Sequence, residues 1–302
     1  MSDSIYAIGK QGQPWSDIEK KLWLSKQSIK RSYENEVLEK IKALTSPFNI
    51  IEYGRLSINE SRYPLYVLKN KNWQAKNKTI LVTGGVHGYE TSGVQGAIRF
   101  LETITEEYCD AINIIVVPCV SPWGYETINR WNNNTTDPNR SFYPNSTAEE
   151  AAMLMSFIYK LDVDITMHID LHETTDTDNS EFRPALAARD AVKHHHWNIP
   201  DGFYLVGNTI KPAADFQKAI NKAVAKVTHI ASADTDNKLI GVQIEQLGVI
   251  NYSASTLGLC MGLTNAPYVT TTEVYPDSPL INDEMCIQVQ VTAILAAIAF
   301  VL

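Results

Sequence analysis

The chain has 302 residues, of which 44% are hydrophobic and 20% charged, values that fit an ordinary globular protein and exclude a fibrous or disordered one. Its formal net charge of -8, without clusters of lysine and arginine, argues against a nucleic-acid or anionic membrane surface. Small molecules or peptides are therefore the expected partners. The N-terminus lacks the basic and apolar regions of a signal peptide, so we predict a cytoplasmic location.

The cysteines and the C-terminal run both indicate buried structure. Cys109, Cys119, Cys260 and Cys286 show no C-x-x-C spacing and lie mostly in apolar surroundings, which predicts reduced, buried thiols rather than a cysteine-based zinc site. The final run VTAILAAIAFVL is too short to span a bilayer, so we expect a buried terminal helix.

The first part of the chain predicts helix and then a hairpin. Ser16 and Glu19 form a capping box, and residues 17–44 are predicted as helix with one break. FNIIEYG and YPLYVLK flank a polar turn and predict a β-hairpin. The apolar residues that recur at helical spacing are Ile18, Leu22, Ile29, Tyr33, Val37 and Ile41.

Strands and helices alternate from residue 79 onward. Predicted strands are TILVTG, INIIVVP, DITMHIDLHE, FYLVG, LGVINY and YVTTTEV. Predicted helices are SGVQGAIRFLE, a segment that Thr147 and Glu150 cap and that ends at about Leu161, and a last helix from about Asn282. A further helix is predicted over residues 212–227, and the long loop 119–146 has no periodic pattern, which is typical of a functional loop.

No linker divides the chain. We therefore predict one α/β domain over residues 1–302, with a mixed, largely parallel β-sheet and helices on both faces. Residues 1–45 are expected to form an N-terminal helical segment packed on this domain.

A histidine and a glutamate lie three positions apart in GGVHGYETSG, residues 84–93. The turn comes after the carboxyl end of a predicted strand, where open α/β sheets place their ligand sites, and its glycines allow close backbone approach. Side chains three positions apart at the start of a helix converge on one point. We therefore predict His87 and Glu90 as metal ligands rather than as part of a surface capping turn.

A catalytic zinc needs a third protein ligand and an open position for water. His172 in HIDLHE is the best candidate, because it also lies at the end of a predicted strand. His168, Asp170 and His172 share one face of that strand, so Asp170 is expected to orient a ligand and His168 to be an ordinary core histidine. A second metal held through Asp170 or His168 is the alternative.

These residues resemble the zinc carboxypeptidase family, also called the funnelins. HGYE at 87–90 is similar to the H-x-x-E pair of that family, and His172 falls where its third ligand is expected. WSDIEKKLWLSK and IIEYGRLSINESRYPLYVLK resemble its opening helix and hairpin, so the resemblance covers most of the chain. It implies one zinc ion as the cofactor.

The resemblance also implies roles for five further residues. In the long loop, INRWN places Arg130 like the carbonyl-polarising arginine of the family, and DPNRSF places Asn139 and Arg140 like its carboxylate-binding pair. TTEVYP makes Glu273 the expected general base. NYSAS makes Tyr252 the match to a substrate-capping tyrosine.

The implied function is a zinc-dependent metallocarboxypeptidase that hydrolyses the C-terminal amide bond of a peptide through a zinc-activated water. The planar guanidinium of Arg140 suits a terminal carboxylate. However, DLHETTDTDNSEFRP is similar to a segment of relatives that remove acyl groups from amino acids. The alternatives are therefore a zinc-dependent N-acyl amino acid deacylase or a cell-wall peptide amidase, and a non-catalytic, metal-containing peptide-binding protein. The expected partner is a peptide or acylated amino acid with a free carboxylate.

Two polar stretches are predicted to lack a role. Asp176, Asp178 and Glu181 could face a basic substrate, but three acids in one polar loop are more often a solvated surface, which we predict here. The triplet HHH at 194–196 is interpreted as an ordinary exposed segment.

Overall fold

A computed structural model describes residues 6–44, 46–104, 106–193 and 198–302, so the triplet at 194–196 lies outside the described residues. Within these ranges the strands are β1 (Phe48–Arg55), β2 (Pro64–Asn70), β3 (Thr79–Gly84), β4 (Asn113–Val117), β5 (Ile165–Glu173), β6 (Tyr204–Asn208), β7 (Lys238–Leu239), β8 (Val242–Gln243), β9 (Val249–Tyr252) and β10 (Tyr268–Val274). The α-helices are α1 (Asp17–Ser25), α2 (Glu39–Ala43), α3 (Thr91–Thr103), α4 (Glu106–Ala111), α5 (Pro122–Thr127), α6 (Glu149–Leu161), α7 (Arg183–Asp190), α8 (Ala214–Val224) and α9 (Asp283–Val301).

The main sheet has eight strands in the order β1-β2-β4-β3-β5-β10-β6-β9. The pairs β4–β3, β3–β5, β5–β10 and β6–β9 are parallel, whereas β1–β2, β2–β4 and β10–β6 are antiparallel. β7 and β8 form a separate small hairpin. The predicted fold class, a single domain with a mixed and mostly parallel sheet, is confirmed.

Helices cover both faces of the sheet, and β3 shows why. Its side chains alternate between faces, so Ile80 and Val82 enter the core that α3, α8 and α9 close. Leu81 points the other way and packs in the core that includes Leu154 of α6. A strand buried on both faces reads as a continuous apolar run, which explains the pattern TILVTG.

The N-terminal segment has the predicted break, but its first helix buries a different face from the predicted apolar stripe. α1 ends at Ser25, and the chain becomes helical again at a π-turn, Glu34–Leu38, that leads into α2. Ile18 and Leu22 of the predicted apolar stripe are exposed. Trp23 is the buried residue of α1, because it packs against Trp123 and Trp131. The burial of these aromatic rings outweighs the aliphatic stripe.

The C-terminal apolar run lies within α9, whose Val289, Ile294 and Ile298 are buried. In the described part of the chain, α9 is the one helix long and apolar enough to cross a membrane by length and composition, and half of that stretch is buried in the fold. All four cysteines are buried and none forms a disulfide bond, as predicted.

The predicted cap of α6 is wrong. Ala148 occupies the N-cap position and makes no side-chain cap bond, and Glu149 instead accepts a hydrogen bond from the backbone of Ser57. Glu150 is buried under the long loop, where Asn132 Nδ2 donates to its Oε2 over 3.3 Å. A tertiary contact therefore uses the Glu150 carboxylate that the capping pattern assigned to the helix start.

Glu150 makes stability depend on pH. Burial raises the pKa of this carboxyl to about 7, so the folded state binds its proton more tightly than the unfolded state does. Its contribution to stability is present below the unfolded pKa and is lost as pH rises from about 4.5 through 7. We expect Glu150→Gln to gain stability relative to wild type between pH 5 and pH 8, on the order of 2–3 kcal/mol. Urea unfolding of both proteins at pH 5 and pH 8 measures the free energy of unfolding. The same difference between variant and wild type at both pH values would contradict the prediction.

Candidate active site

The predicted ligand turn connects β3 to α3. Gly88 lies so close to the backbone of Gly124 and Tyr125 in α5 that a Cβ atom would collide with it. Glycine is therefore required at this position for the turn to pack on α5. The packing directs His87 and Glu90 toward the carboxyl end of β5, where His172 lies.

His87, Glu90 and His172 form one buried group, each no more than 2% exposed. Their ligand atoms all lie within 4.8 Å of one another. Glu90 stands between the two rings, with Oε1 2.7 Å from His87 Nδ1 and Oε2 2.7 Å from His172 Nδ1. The structure thus brings the three predicted ligands together.

Carboxylates hold the opposite nitrogen of each ring. His87 Nε2 is 2.9 Å from Asp137 Oδ1, and His172 Nε2 is 2.7 Å from Asp170 Oδ2. With a metal ion bound, each Nε2–H would donate to its carboxylate and each Nδ1 lone pair would be available as a ligand. The arrangement is the one that ligating imidazoles show in metal sites.

The group fits a metal ion. Glu90 Oε2 is buried and accepts no hydrogen bond, although His172 Nδ1 is close to it. The Glu90 carboxylate lies buried between two imidazole nitrogens, so it needs a positive charge, of the rings or of a bound metal ion, to compensate its desolvation. Burial alone would raise the pKa of Glu90, but the His172 and His87 rings outweigh it and lower this pKa to about 2. The His₂Glu donor set suits zinc with an open position.

A second group of His168, Asp170 and Cys260 also lies within ligand distance, and the sequence did not indicate its cysteine. Both Asp170 oxygens are already engaged, since Thr83 Oγ1 donates to Oδ1 over 2.6 Å and His172 holds Oδ2. Burial lowers the pKa of His168 to about 4, which keeps this ring neutral. These contacts favour the roles predicted for Asp170 and His168, orienting a ligand and filling the core.

Glu273 lies on β10 opposite His172 of β5. Thr174 Oγ1 donates to Glu273 Oε2 over 2.8 Å. Burial raises the pKa of Glu273 to about 7, near the value at which a carboxylate both takes and returns a proton. The side chain faces the same cavity as the ligand group.

Arg130 is held by two carboxylates at the rim of this cavity. Its Nε donates to Asp137 Oδ2 over 3.1 Å and its Nη1 to Asp178 Oδ1 over 3.2 Å. Asp137 therefore orients both Arg130 and His87. The prediction that Asp178 belongs to a solvated surface is wrong, because its carboxylate is mostly buried against Arg130; Asp176 and Glu181 are exposed.

The three predicted substrate-binding residues line the same cavity of about 940 Å³. Asn139 is buried, with Oδ1 accepting the Cys260 N–H over 2.7 Å. Arg140 is exposed and, among the described residues, forms no ion pair with a carboxylate. Tyr252 follows at the end of β9, partly buried. The guanidinium of Arg140 is thus available to an anionic group of a ligand.

Sequence reasoning missed Asp137 and Thr174. Asp137 caps the turn Pro138–Arg140, with Oδ1 accepting the Asn139 N–H over 2.9 Å. The Asp-Pro pair is a sequence signal for such a cap, but nothing local indicates its contacts with His87 and Arg130. Thr174 directly follows the predicted strand and carried no signal.

The fold is carboxypeptidase-like, with a His-Glu-His group at the carboxyl ends of parallel strands. Residues 76–201 match the model of the succinylglutamate desuccinylase/aspartoacylase catalytic domain family. The match spans less than half of the chain and includes all three residues of the ligand group. Among curated proteins there is no significant match.

Solved structures share the fold over most of the chain. A candidate metallopeptidase from Shewanella amazonensis is 18% identical, with a TM-score of 0.63 over 87% of this chain and 90% of that one. A metallo-carboxypeptidase from Burkholderia cenocepacia is 14% identical, with a TM-score of 0.59 over 96% of this chain and 70% of that one. A metallo-carboxypeptidase from Pseudomonas aeruginosa in complex with (2-guanidinoethylmercapto)succinic acid is 14% identical, with a TM-score of 0.57 over 87% and 68%. The structures establish the fold and, with the family model, confirm the predicted resemblance.

Proposed function

We propose that this protein is a zinc-dependent metallocarboxypeptidase that hydrolyses the C-terminal amide bond of a peptide. The observation that carries the proposal is one cavity lined by His87 and Glu90 of the candidate ligand group, by a carboxylate of raised pKa and by an exposed arginine that forms no ion pair within the described residues. These are the parts that hydrolysis of an amide beside a free carboxylate requires.

His87, Glu90 and His172 would hold the zinc ion, which when bound polarises a carbonyl and lowers the pKa of a water molecule. Thr174 holds Glu273 Oε2, so Oε1 is left to take the proton of the attacking water and to pass it to the leaving amine. Arg130, fixed by Asp137 and Asp178, orients the scissile carbonyl and stabilises negative charge on its oxygen.

Arg140 would bind the substrate carboxylate. We expect Arg140→Gln to lower kcat/KM for peptides with a free C-terminus by about 10- to 100-fold, since a hydrogen bond to a charged group contributes roughly 1.5–3 kcal/mol. C-terminal amidation of the peptide should lower kcat/KM of wild type by a similar factor and have little further effect on the variant. Steady-state kinetics on the four combinations measure this. Additive losses would show that Arg140 does not contact the carboxylate.

The second candidate is an N-acyl amino acid deacylase, which the family-model match over residues 76–201 favours. Both reactions use the same zinc, base and carboxylate-binding arginine, so the substrate decides between them. Metal content and release of free amino acid should be measured on the same zinc-loaded protein, with a peptide pool and a set of acylated amino acids. Peptide hydrolysis at the higher kcat/KM supports the carboxypeptidase, and cleavage restricted to acyl amino acids supports the deacylase.

A further inference from the structure

We infer that Arg31, in the segment that joins α1 to the π-turn, is a positioning residue that holds the metal-ligand turn in its binding geometry. The inference rests on the metal site of the proposed function. Arg31 Nη2 donates to Gly88 O over 2.7 Å and Nη1 to Thr91 Oγ1 over 2.7 Å. The Gly88 carbonyl lies between the ligands His87 and Glu90, so a shift of that peptide moves both.

The same guanidinium ties the turn to α5. Its Nε donates to Tyr125 O over 2.6 Å, and its Cζ lies 3.6 Å from the centroid of the Tyr125 ring. This is the place where Gly88 packs directly on the backbone of Gly124 and Tyr125. Arg31 therefore adds hydrogen bonds between the ligand turn and α5 at the place where Gly88 already packs on α5.

The backbone of Arg31 is itself anchored. The N–H groups of Lys30 and Arg31 both donate to Glu126 O, over 2.8 and 3.3 Å. Glu126 in turn is buried and held by Arg62, whose Nε lies 2.6 Å from Oε2. The backbone of Arg31 is thus fixed in place, which allows its side chain to hold the ligand turn at a set distance from the N-terminal segment.

The chemistry of the contacts requires arginine. Within the described residues Arg31 forms no ion pair with a carboxylate, and its donors go to carbonyl and hydroxyl oxygens of the turn and of α5. The planar guanidinium donates to these three acceptors from separate nitrogen atoms, whereas the ammonium group of lysine has a single nitrogen and cannot reach all three. Arg31 therefore supports the ligands much as the residues behind metal-binding histidines do, although it touches neither ring.

The test is the zinc affinity of the full chain, measured by chelator competition on metal-free protein with zinc as the probe. We expect Arg31→Gln to weaken zinc binding by about 10- to 100-fold, the range found when groups behind metal ligands are removed. Arg31→Lys should recover part of the loss. Arg55→Gln is the matched control, because Arg55 donates to Glu52 and to the Glu60 carbonyl and contacts no described residue of the turn or of its anchor; its zinc affinity should stay within about threefold of wild type.

Circular dichroism at the assay temperature establishes that each variant is folded, and Arg31→Lys serves as the test if Arg31→Gln is not. Wild-type affinity in the folded Arg31 variants would overturn the inference, as would equal losses in the Arg31 and Arg55 variants, which would indicate general destabilisation. Wild-type protein without affinity for zinc would instead overturn the proposed function.

Discussion

Glu273→Gln is expected to lower kcat for amide hydrolysis by about 10²–10⁴-fold, the contribution of a positioned general base, while zinc binding is retained. Glutamine keeps the shape of the side chain and can accept the Thr174 hydroxyl hydrogen bond, but it cannot take a proton. Because Glu273 is not part of the ligand group, its loss should leave the metal content unchanged.

Glu173→Gln is the matched control for this experiment. Burial also raises the pKa of Glu173 to about 7, and this side chain lines the same cavity, but its Oε1 is bound to the Ser92 N–H over 2.6 Å. We expect kcat within about tenfold of wild type, since glutamine preserves that hydrogen bond. If Glu173→Gln lost activity and Glu273→Gln retained it, the assignment of Glu273 as the base would be wrong.

His172→Ala is expected to remove zinc and, with it, all measurable hydrolysis. One ligand of three is lost, and Glu90 keeps a buried charge with one imidazole beside it instead of two. Elemental analysis of protein purified without added metal should give about one zinc per chain for wild type and almost none for the variant. Activity assays on the same preparations connect the metal to the reaction.

His229→Ala and His168→Asn test the specificity of that loss. His229 pairs with Asp201 at the surface, away from the ligand group, and its replacement should leave one zinc bound. His168→Asn should also retain the metal, because within the described residues His168 is connected to His172 through Thr83 and Asp170 and not directly. Two metals in wild type and one in His168→Asn would establish the two-metal alternative. Stoichiometric zinc without hydrolysis of any peptide or acyl amino acid would indicate a binding protein.

Local sequence patterns predicted much of this fold and of the candidate site. The buried run TILVTG, the turn GGVHGYETSG and the strand end HIDLHE predicted where two strands finish and which side chains leave them. Parallel strands in one sheet end at one edge, so local position implied that His87, Glu90 and His172 are near each other. In the structure the three side chains are adjacent. The metal they would bind stays a prediction, and so do the roles of Glu273, Arg130, Asn139, Arg140 and Tyr252.

Other features depend on residues far apart in the chain. The aliphatic stripe of α1 is exposed because Trp23 packs against Trp123 and Trp131 instead. The periodicity of α1 contains no information about these two distant residues. The capping pattern at α6 failed for the same reason, since Glu150 is buried under the long loop and bonds to Asn132 instead. Local propensity decides an element only where tertiary contacts do not compete for its side chains.

The sequence by itself determined the class of fold and the chemical groups available to the site, because strand burial and turn chemistry are encoded over a few neighbouring residues. Only the tertiary structure decided how those groups are supported. Asp137 behind His87, Asp178 behind Arg130 and Arg31 behind the ligand turn each join segments that are distant in sequence. The direction of a buried polar side chain follows from the partner that satisfies it, and that partner is known only once the chain is folded.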